Sequence, residues 1–459
     1  MSVRALSSVV HAAAPAAFHR VVLGVVLGGV VGAVTACSGE PAPAPDAPVP
    51  VEPTANPARE IVDTKLAFDV TALTGTATIS FAASETAGAT LETGDLAIER
   101  VVMDGADLAY ASGPGTGKTA STLNLALPPS DTPLTVEIAF RYKHHAGFQG
   151  ANATGFTLLW PYHCGNLFPC HSRPDDGLTM SLELTGVPAD KVAVYPTMLA
   201  EAPSYQLAWS IDAYTETPLG TTTAGTEVAV WHRESELAAA QAGTANLVAV
   251  FDWLEETLGA YRFGSKVGSV SVRWGAGALG GMEHHPMWHV ASGALGSEEV
   301  HAHEAAHGWF GDGIRIACWE DFLLSEGTTT YLAGRALDVV APAVGQQIWT
   351  SYANELAVIP ATDPVWPEGC NEIDIIDDGL FTNAPYIRGA FFYRAVARKV
   401  GADVLDEVLA TFYRAHAGKA ARMSDMLETI RTETGYDPTT CAQMWLRSTT
   451  KPAPDTACP

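Results

Sequence analysis

The chain has 459 residues, 47% of them hydrophobic. It can bury a sizeable core, and at about 150 residues per domain it calls for two or three domains. Lys and Arg number 26 against 51 Asp and Glu, a formal charge of −25; a field of that sign repels phosphate backbones, argues against nucleic acid as a partner and fits solubility outside the cell.

Residues 1–36 read as a targeting segment. Arg4 and Arg20 supply positive charge, and Val21–Ala36 is an uncharged run of apolar and small residues. That run is shorter than the roughly 20 residues of a spanning helix. It ends Val34-Thr35-Ala36-Cys37, which resembles a bacterial lipobox, where cleavage precedes a lipid-carrying Cys. An ordinary signal peptide is the plainer alternative. The expectation is an exported bacterial lipoprotein, anchored to a membrane through Cys37 and facing the periplasm or the cell exterior. Residues 37–58 form a tether with seven prolines from Pro41 to Pro57. Such a run favours polyproline II at about 3.1 Å per residue and buries no core.

Residues 59–224 read as a β-sandwich of antiparallel strands. Lys65–Val70, Ala77–Phe81, Leu134–Tyr142 and Met180–Leu184 alternate or cluster β-formers, with turn residues at short intervals. Within this region Gly113–Thr119 imitates a phosphate-binding loop. The glycine that motif needs five residues before Gly117 is Ser112, and the run lies between the strand-like stretches Leu108–Tyr110 and Leu123–Leu127. A hairpin turn is expected there, and no nucleotide. From about residue 225 to 459 helices dominate. Glu234–Leu258 has helical spacing, with Leu237, Leu247, Val250 and Leu254 on one face.

Setting Cys37 aside leaves six cysteines, an even number that suits an oxidising compartment. They allow 15 pairings. Proximity favours Cys164–Cys170 and Cys441–Cys458, leaving Cys318–Cys370. Zinc binding by these thiols is the rival, but their spacing is not that of a zinc knuckle.

The densest chemistry lies in Ser297–Phe310, which reads SEEVHAHEAAHGWF. Ser297 can cap a helix whose first turn carries Glu298 and Glu299. His303 and His307, four apart, then project from one face about one turn apart, a spacing that lets two imidazoles hold one zinc ion. Glu304 follows the first His, where it can accept a proton from water activated by the metal. Glu326, on the next expected helix running through Tyr331 toward Val339, supplies a third ligand and leaves the fourth position open. His284, His285, His289 and His301 read as solvated or core histidines.

These residues resemble the aminopeptidase N family of zinc metallopeptidases, the gluzincins that include leukotriene hydrolase. His303–Gly311 and Trp319–Gly327 match its zinc motifs. Gly280-Gly281-Met282-Glu283-His284 is similar to its Gly-x-Met-Glu-Asn strand, with His284 in place of Asn. The resemblance implies that this strand, Gly280 to Glu283, binds substrate and that Glu283 binds the free amino group. Pro385–Gly389 resembles a Pro-Tyr-x-Lys-Gly segment, which implies Tyr386 as donor to the oxyanion. Phe168-Pro169-Cys170 resembles a turn of the family's β-domain, and counting back from it places Leu158 where relatives often carry a second amine-binding Gln or Glu. The family fold implied is a β-sandwich followed by a thermolysin-like α+β zinc peptidase domain, without the family's C-terminal helical domain. The activity implied is release of N-terminal residues from peptides, with one zinc ion per chain. Two alternatives stay open: a zinc endopeptidase or other zinc hydrolase on the same scaffold, and a non-catalytic surface lipoprotein that uses it for binding.

Overall fold

The computed structural model describes residues 51–115, 117–275, 280–370 and 372–459. The expected export segment, Cys37 and most of the tether lie outside the described residues. Val51–Pro459 forms one compact unit. Among the described residues no helix is long and apolar enough to cross a membrane.

The N-terminal part is built from strands whose side chains alternate. In Thr74–Phe81 the residues Gly75, Ala77, Ile79 and Phe81 are buried, while the Thr and Ser between them stay half-exposed. That period of two lets one face pack while the other meets water. Seven strands form one sheet, in the order Met198–Ala202, Leu178–Thr185, Ile61–Asp69, Thr74–Phe81, Leu134–Arg141, Ala97–Met103, Ala106–Asp107. Its pairs are antiparallel except for Ile61–Asp69 with Leu178–Thr185, which run parallel, so the expected all-antiparallel arrangement holds everywhere but there. A three-stranded sheet of Ala89–Glu92, Ser121–Leu125 and Tyr110–Pro114 shares its core: Phe68, Ile79 and Phe140 pack with Leu91, Leu123 and Leu125. Pro114 pairs with Ser121, so the Gly-rich run between them closes a hairpin.

The C-terminal part opens on a five-stranded sheet ordered Thr215–Thr221, Glu227–His232, Lys266–Val272, Met287–Ala291, Gly281–Met282. Its first strand precedes residue 224, so residues on both sides of the expected boundary enter one sheet. Nine α-helices follow or intersperse among the described residues: α1 (Leu237–Gly243), α2 (Leu247–Leu258), α3 (Glu298–Ala306), α4 (Phe322–Val340), α5 (Pro342–Val358), α6 (Asn383–Val400), α7 (Ala402–His416), α8 (Met423–Thr434) and α9 (Thr439–Ala442). The single helical run expected over 234–258 is thus broken. Thr244 leaves helical geometry, and its hydroxyl donates to the Ala240 carbonyl, closing α1.

Two contacts fix the helices around the site. α4 and α6 cross where each has a glycine: a Cβ placed on Gly389 would stand 2.6 Å from the Gly327 Cα. Side by side, the two glycines admit a backbone approach that any larger residue would block. Arg388, also on α6, is buried. Its Nε donates to the Trp445 carbonyl at 2.9 Å and its Nη2 to the Ser448 carbonyl at 2.7 Å, which ties the C-terminal segment beneath α6. The six described cysteines pair as Cys164–Cys170, Cys318–Cys370 and Cys441–Cys458, matching the pairing expected from proximity.

Candidate active site

The start of α3 is set by Ser297, whose hydroxyl accepts from the Val300 N–H, with Glu298 and Glu299 in the first turn. His303 and His307 then face α4. Their Nε2 atoms lie 3.1 Å apart, and the Glu326 Oε2 is 3.1 Å from the first and 3.4 Å from the second. The far side of each ring fixes the tautomer. His307 Nδ1 lies 3.0 Å from the Phe310 carbonyl, which can only accept, so Nδ1 carries the proton. Thr330 spends its hydroxyl proton on the Glu326 carbonyl at 2.7 Å and lies 3.3 Å from His303 Nδ1, which therefore donates to it. Two imidazole lone pairs and a carboxylate thus converge with no proton between the rings. Three mutually repelling acceptors at this spacing fit a cation. The edges of a tetrahedron with bonds near 2.05 Å are about 3.3 Å, so they fit zinc. Anchoring the distal Nδ1 in this way is the usual support for a ligating histidine.

Around the three ligand candidates sit three further groups. Glu304 follows His303 on α3, is buried, and packs its carboxylate on Gly281, where a Cβ would come within van der Waals overlap of it. Glu283 directly follows the edge strand Gly281–Met282. Its carboxylate, that of Glu304 and a His307 nitrogen lie within 4.8 Å of one another. Among the described residues neither carboxylate takes a hydrogen bond from another side chain. Tyr386 comes from the first turn of α6, which Thr382 caps through the Ala384 N–H. Its ring stacks on His303 at 5.9 Å and meets Phe322 edge-on.

The electrostatics follow from burial and crowding of charge. Burial, then the fields of Glu283 and Glu326, pushes the Glu304 carboxyl well above its usual range. Burial raises Glu283 as well, against the pull of His307. The Tyr386 hydroxyl is pushed well up by burial and the neighbouring carboxylates, and keeps its proton.

All the residues singled out in the sequence for this centre meet here: His303, His307, Glu326, Glu304, Tyr386, Glu283 and the Gly280–Met282 strand line one cavity of about 930 Å³. The neighbouring histidines are core residues. His284, His285, His289 and His301 are all buried. His285 nonetheless has a local task, since its Nε2 lies 2.7 Å from the Glu304 carbonyl and its Nδ1 2.7 Å from the Tyr261 hydroxyl, tying the Glu283 strand to α3. Leu158 is buried in an apolar cluster with Met282. Pro161 and Tyr205, from the N-terminal part, and Tyr352 and Glu355, from α5, also line the cavity, and none carries a local sequence signal.

Residues 286–445 match the model for the Peptidase family M1 domain. Over 156 residues the chain is 30% identical to aminopeptidase N of Streptomyces lividans, covering 32% of this chain and 18% of that protein. Over 346 residues it is 24% identical to leukotriene A-4 hydrolase of Xenopus laevis, covering 65% of this chain and 55% of that one. The chain therefore spans from under a fifth to about half the length of these two relatives. Among solved structures, an M1 zinc metallopeptidase from Deinococcus radiodurans bound to a Tyr-Ser-Ala substrate superposes with a TM-score of 0.73 at 18% identity, over 86% of this chain and 96% of that one. The same enzyme in another crystal structure gives 0.70 at 20% identity. These solved structures share the two-domain fold, sheet-rich part first. The chain thus resembles the aminopeptidase N family of zinc metallopeptidases, and its residues 286–445 carry the likeness to the Peptidase family M1 domain.

Proposed function

We propose that the protein is a zinc aminopeptidase holding one metal ion between His303, His307 and Glu326. Zinc bound there supplies positive charge that polarises a substrate carbonyl and lets water act as a nucleophile near neutral pH. The protein's own groups do the rest. Glu304 accepts a proton from the attacking water and returns it to the leaving amine as the C–N bond breaks. Tyr386, which keeps its proton, donates to the oxygen that becomes negative on the tetrahedral carbon. Glu283 pairs with the substrate's free ammonium and sets its distance from the scissile bond. Gly280 and Gly281 let the substrate backbone approach closely.

The observation that carries the exopeptidase reading is the buried Glu283 carboxylate beside Glu304 and His307, which among the described residues takes no hydrogen bond from another side chain. A carboxylate so placed has a use when a cation arrives with the substrate. The test compares a free peptide with its N-acetylated form on wild type and on Glu283→Ala. Wild type should prefer the free amine, and the variant should lose most of that preference. Equal cleavage of both forms by wild type would replace the aminopeptidase with an endopeptidase.

We also propose export, with Cys37 as a lipid-bearing anchor. The three disulfides support an oxidising compartment.

A further inference from the structure

At about 930 Å³ the cavity is larger than one amino-acid residue needs, and its two ends differ in chemistry. One end is aromatic, where the Tyr205 and Trp319 rings lie 6.4 Å apart. The other is formed by the first turn of α3 and by α5, and it carries Glu298, Glu299 and Glu355. With Glu283, Glu304 and Glu326 that makes six carboxylates, and no Lys or Arg lines the cavity among the described residues. None of Glu298, Glu299 and Glu355 is salt-bridged there. Neutral groups hold all three: Asn246 Nδ2 donates to Glu298 at 2.6 Å, the Tyr352 hydroxyl to Glu299 at 2.8 Å, and Asn383 to Glu355. Their charge is oriented but not cancelled.

The direction of the substrate follows from α3. Glu283 sits at the His307 end of the helix, grouped with that imidazole. Tyr205 packs against the apolar cluster that holds Met282, the residue before Glu283, so the aromatic end lies on the Glu283 side. Glu299 lies one turn before His303, about 6 Å along the axis in the opposite direction. A peptide with its amine on Glu283 passes the metal ligands and continues toward Glu299 at about 3.3 Å per residue. Its first side chain falls at the aromatic end. Its second and third fall within reach of Glu299 and Glu355.

We propose that this acidic end selects peptides with Lys or Arg at the second or third position, a specificity that rests on the aminopeptidase reading above. A long cationic side chain there meets two or three carboxylates with no competing protein cation, whereas an acidic one is repelled.

The test uses Ala-Lys-Ala, Ala-Leu-Ala and Ala-Glu-Ala, which share a first residue. On the zinc-loaded full chain, kcat/KM should fall in that order, by roughly ten-fold or more between the Lys and Glu peptides. Raising ionic strength should narrow the gap. The double variant Glu299→Gln/Glu355→Gln keeps the hydrogen-bond acceptors and removes the charge, and its Lys-to-Glu ratio should collapse toward one. Equal rates for the Lys and Glu peptides on wild type, or an undiminished ratio in the double variant, would overturn the proposal. Binding of the same peptides to Glu304→Gln, measured by calorimetry, reads the selection without turnover. Tighter binding of the Lys peptide supports it even where hydrolysis is absent and the aminopeptidase reading has failed; equal affinities overturn it.

Discussion

Replacing Gly389 by Ala should separate activity from stability. The added Cβ would stand 2.6 Å from the Gly327 Cα, and ordinary contact begins near 3.4 Å, so α4 and α6 must part by about 0.8 Å. Backbone opposes backbone at this crossing, and no flexible side chain can yield in its place. Overpacking of this kind costs about 1–3 kcal/mol. Ala in a helix interior recovers about 0.5–1 kcal/mol relative to Gly, so the net loss of stability should be small. Function should suffer more. α4 carries Glu326 and α6 carries Tyr386 one turn before Gly389, so the shift moves the hydroxyl relative to the metal ligands. A misplacement near 1 Å can lower turnover by about 10²-fold. The assay is kcat and KM on a free peptide, with the melting temperature and metal content of the same preparation. The expected result is a melting point within a few degrees of wild type, retained zinc and a kcat reduced by one to two orders of magnitude. Wild-type kcat in a well-folded variant would show that the glycine crossing does not position Tyr386.

Other outcomes follow from the same geometry. Glu304→Gln should retain about one zinc per chain and lose about 10²–10⁴-fold in turnover; near-normal turnover would remove Glu304 from proton transfer. Asp321, buried at the start of α4, accepts from the Met423 N–H at 2.9 Å, and burial raises its carboxyl to about 6. Its folded pKa lies above the unfolded value of 3.8, so the stability it contributes is full below about pH 4 and is lost as pH rises through 6. The loss is up to about 3 kcal/mol. Melting temperatures across that window should flatten in Asp321→Asn, and an unchanged slope would assign the effect elsewhere. Cys37→Ser should move the protein from the membrane to the soluble fraction; an unaltered distribution would rule out the anchor.

Much of the site was legible because its members are close in sequence or share a helix. The four-residue spacing of His303 and His307, the Ser297 cap and the following Glu326 are local facts that helix geometry converts directly into a cluster. Strand alternation gave the sandwich for the same reason. What stayed hidden depends on pairing across long separations. The parallel pairing of Ile61–Asp69 with Leu178–Thr185 leaves no mark in either strand. The sheet that draws Thr215–Thr221 past the expected boundary is settled by its partner Glu227–His232. The break at Thr244 looked helical because the apolar spacing continues across it. Tyr205 and Glu355 reach the cavity from segments with no motif, and the Gly327–Gly389 contact becomes visible only when two helices are laid together.

Arg388 bears on the order in which the site can come into being. Its buried guanidinium relies on carbonyls 57 and 60 residues downstream, and a charge without acceptors in such a place is costly. During synthesis those carbonyls emerge long after α6 has left the ribosome. Until then the helix bearing Tyr386 has a strong reason not to settle against α4. A nascent chain can thus hold every ligand and catalytic side chain and still lack a finished centre. For the peptidase proposed above, late completion of this kind delays activity until the segment bearing Trp445 and Ser448 has been made.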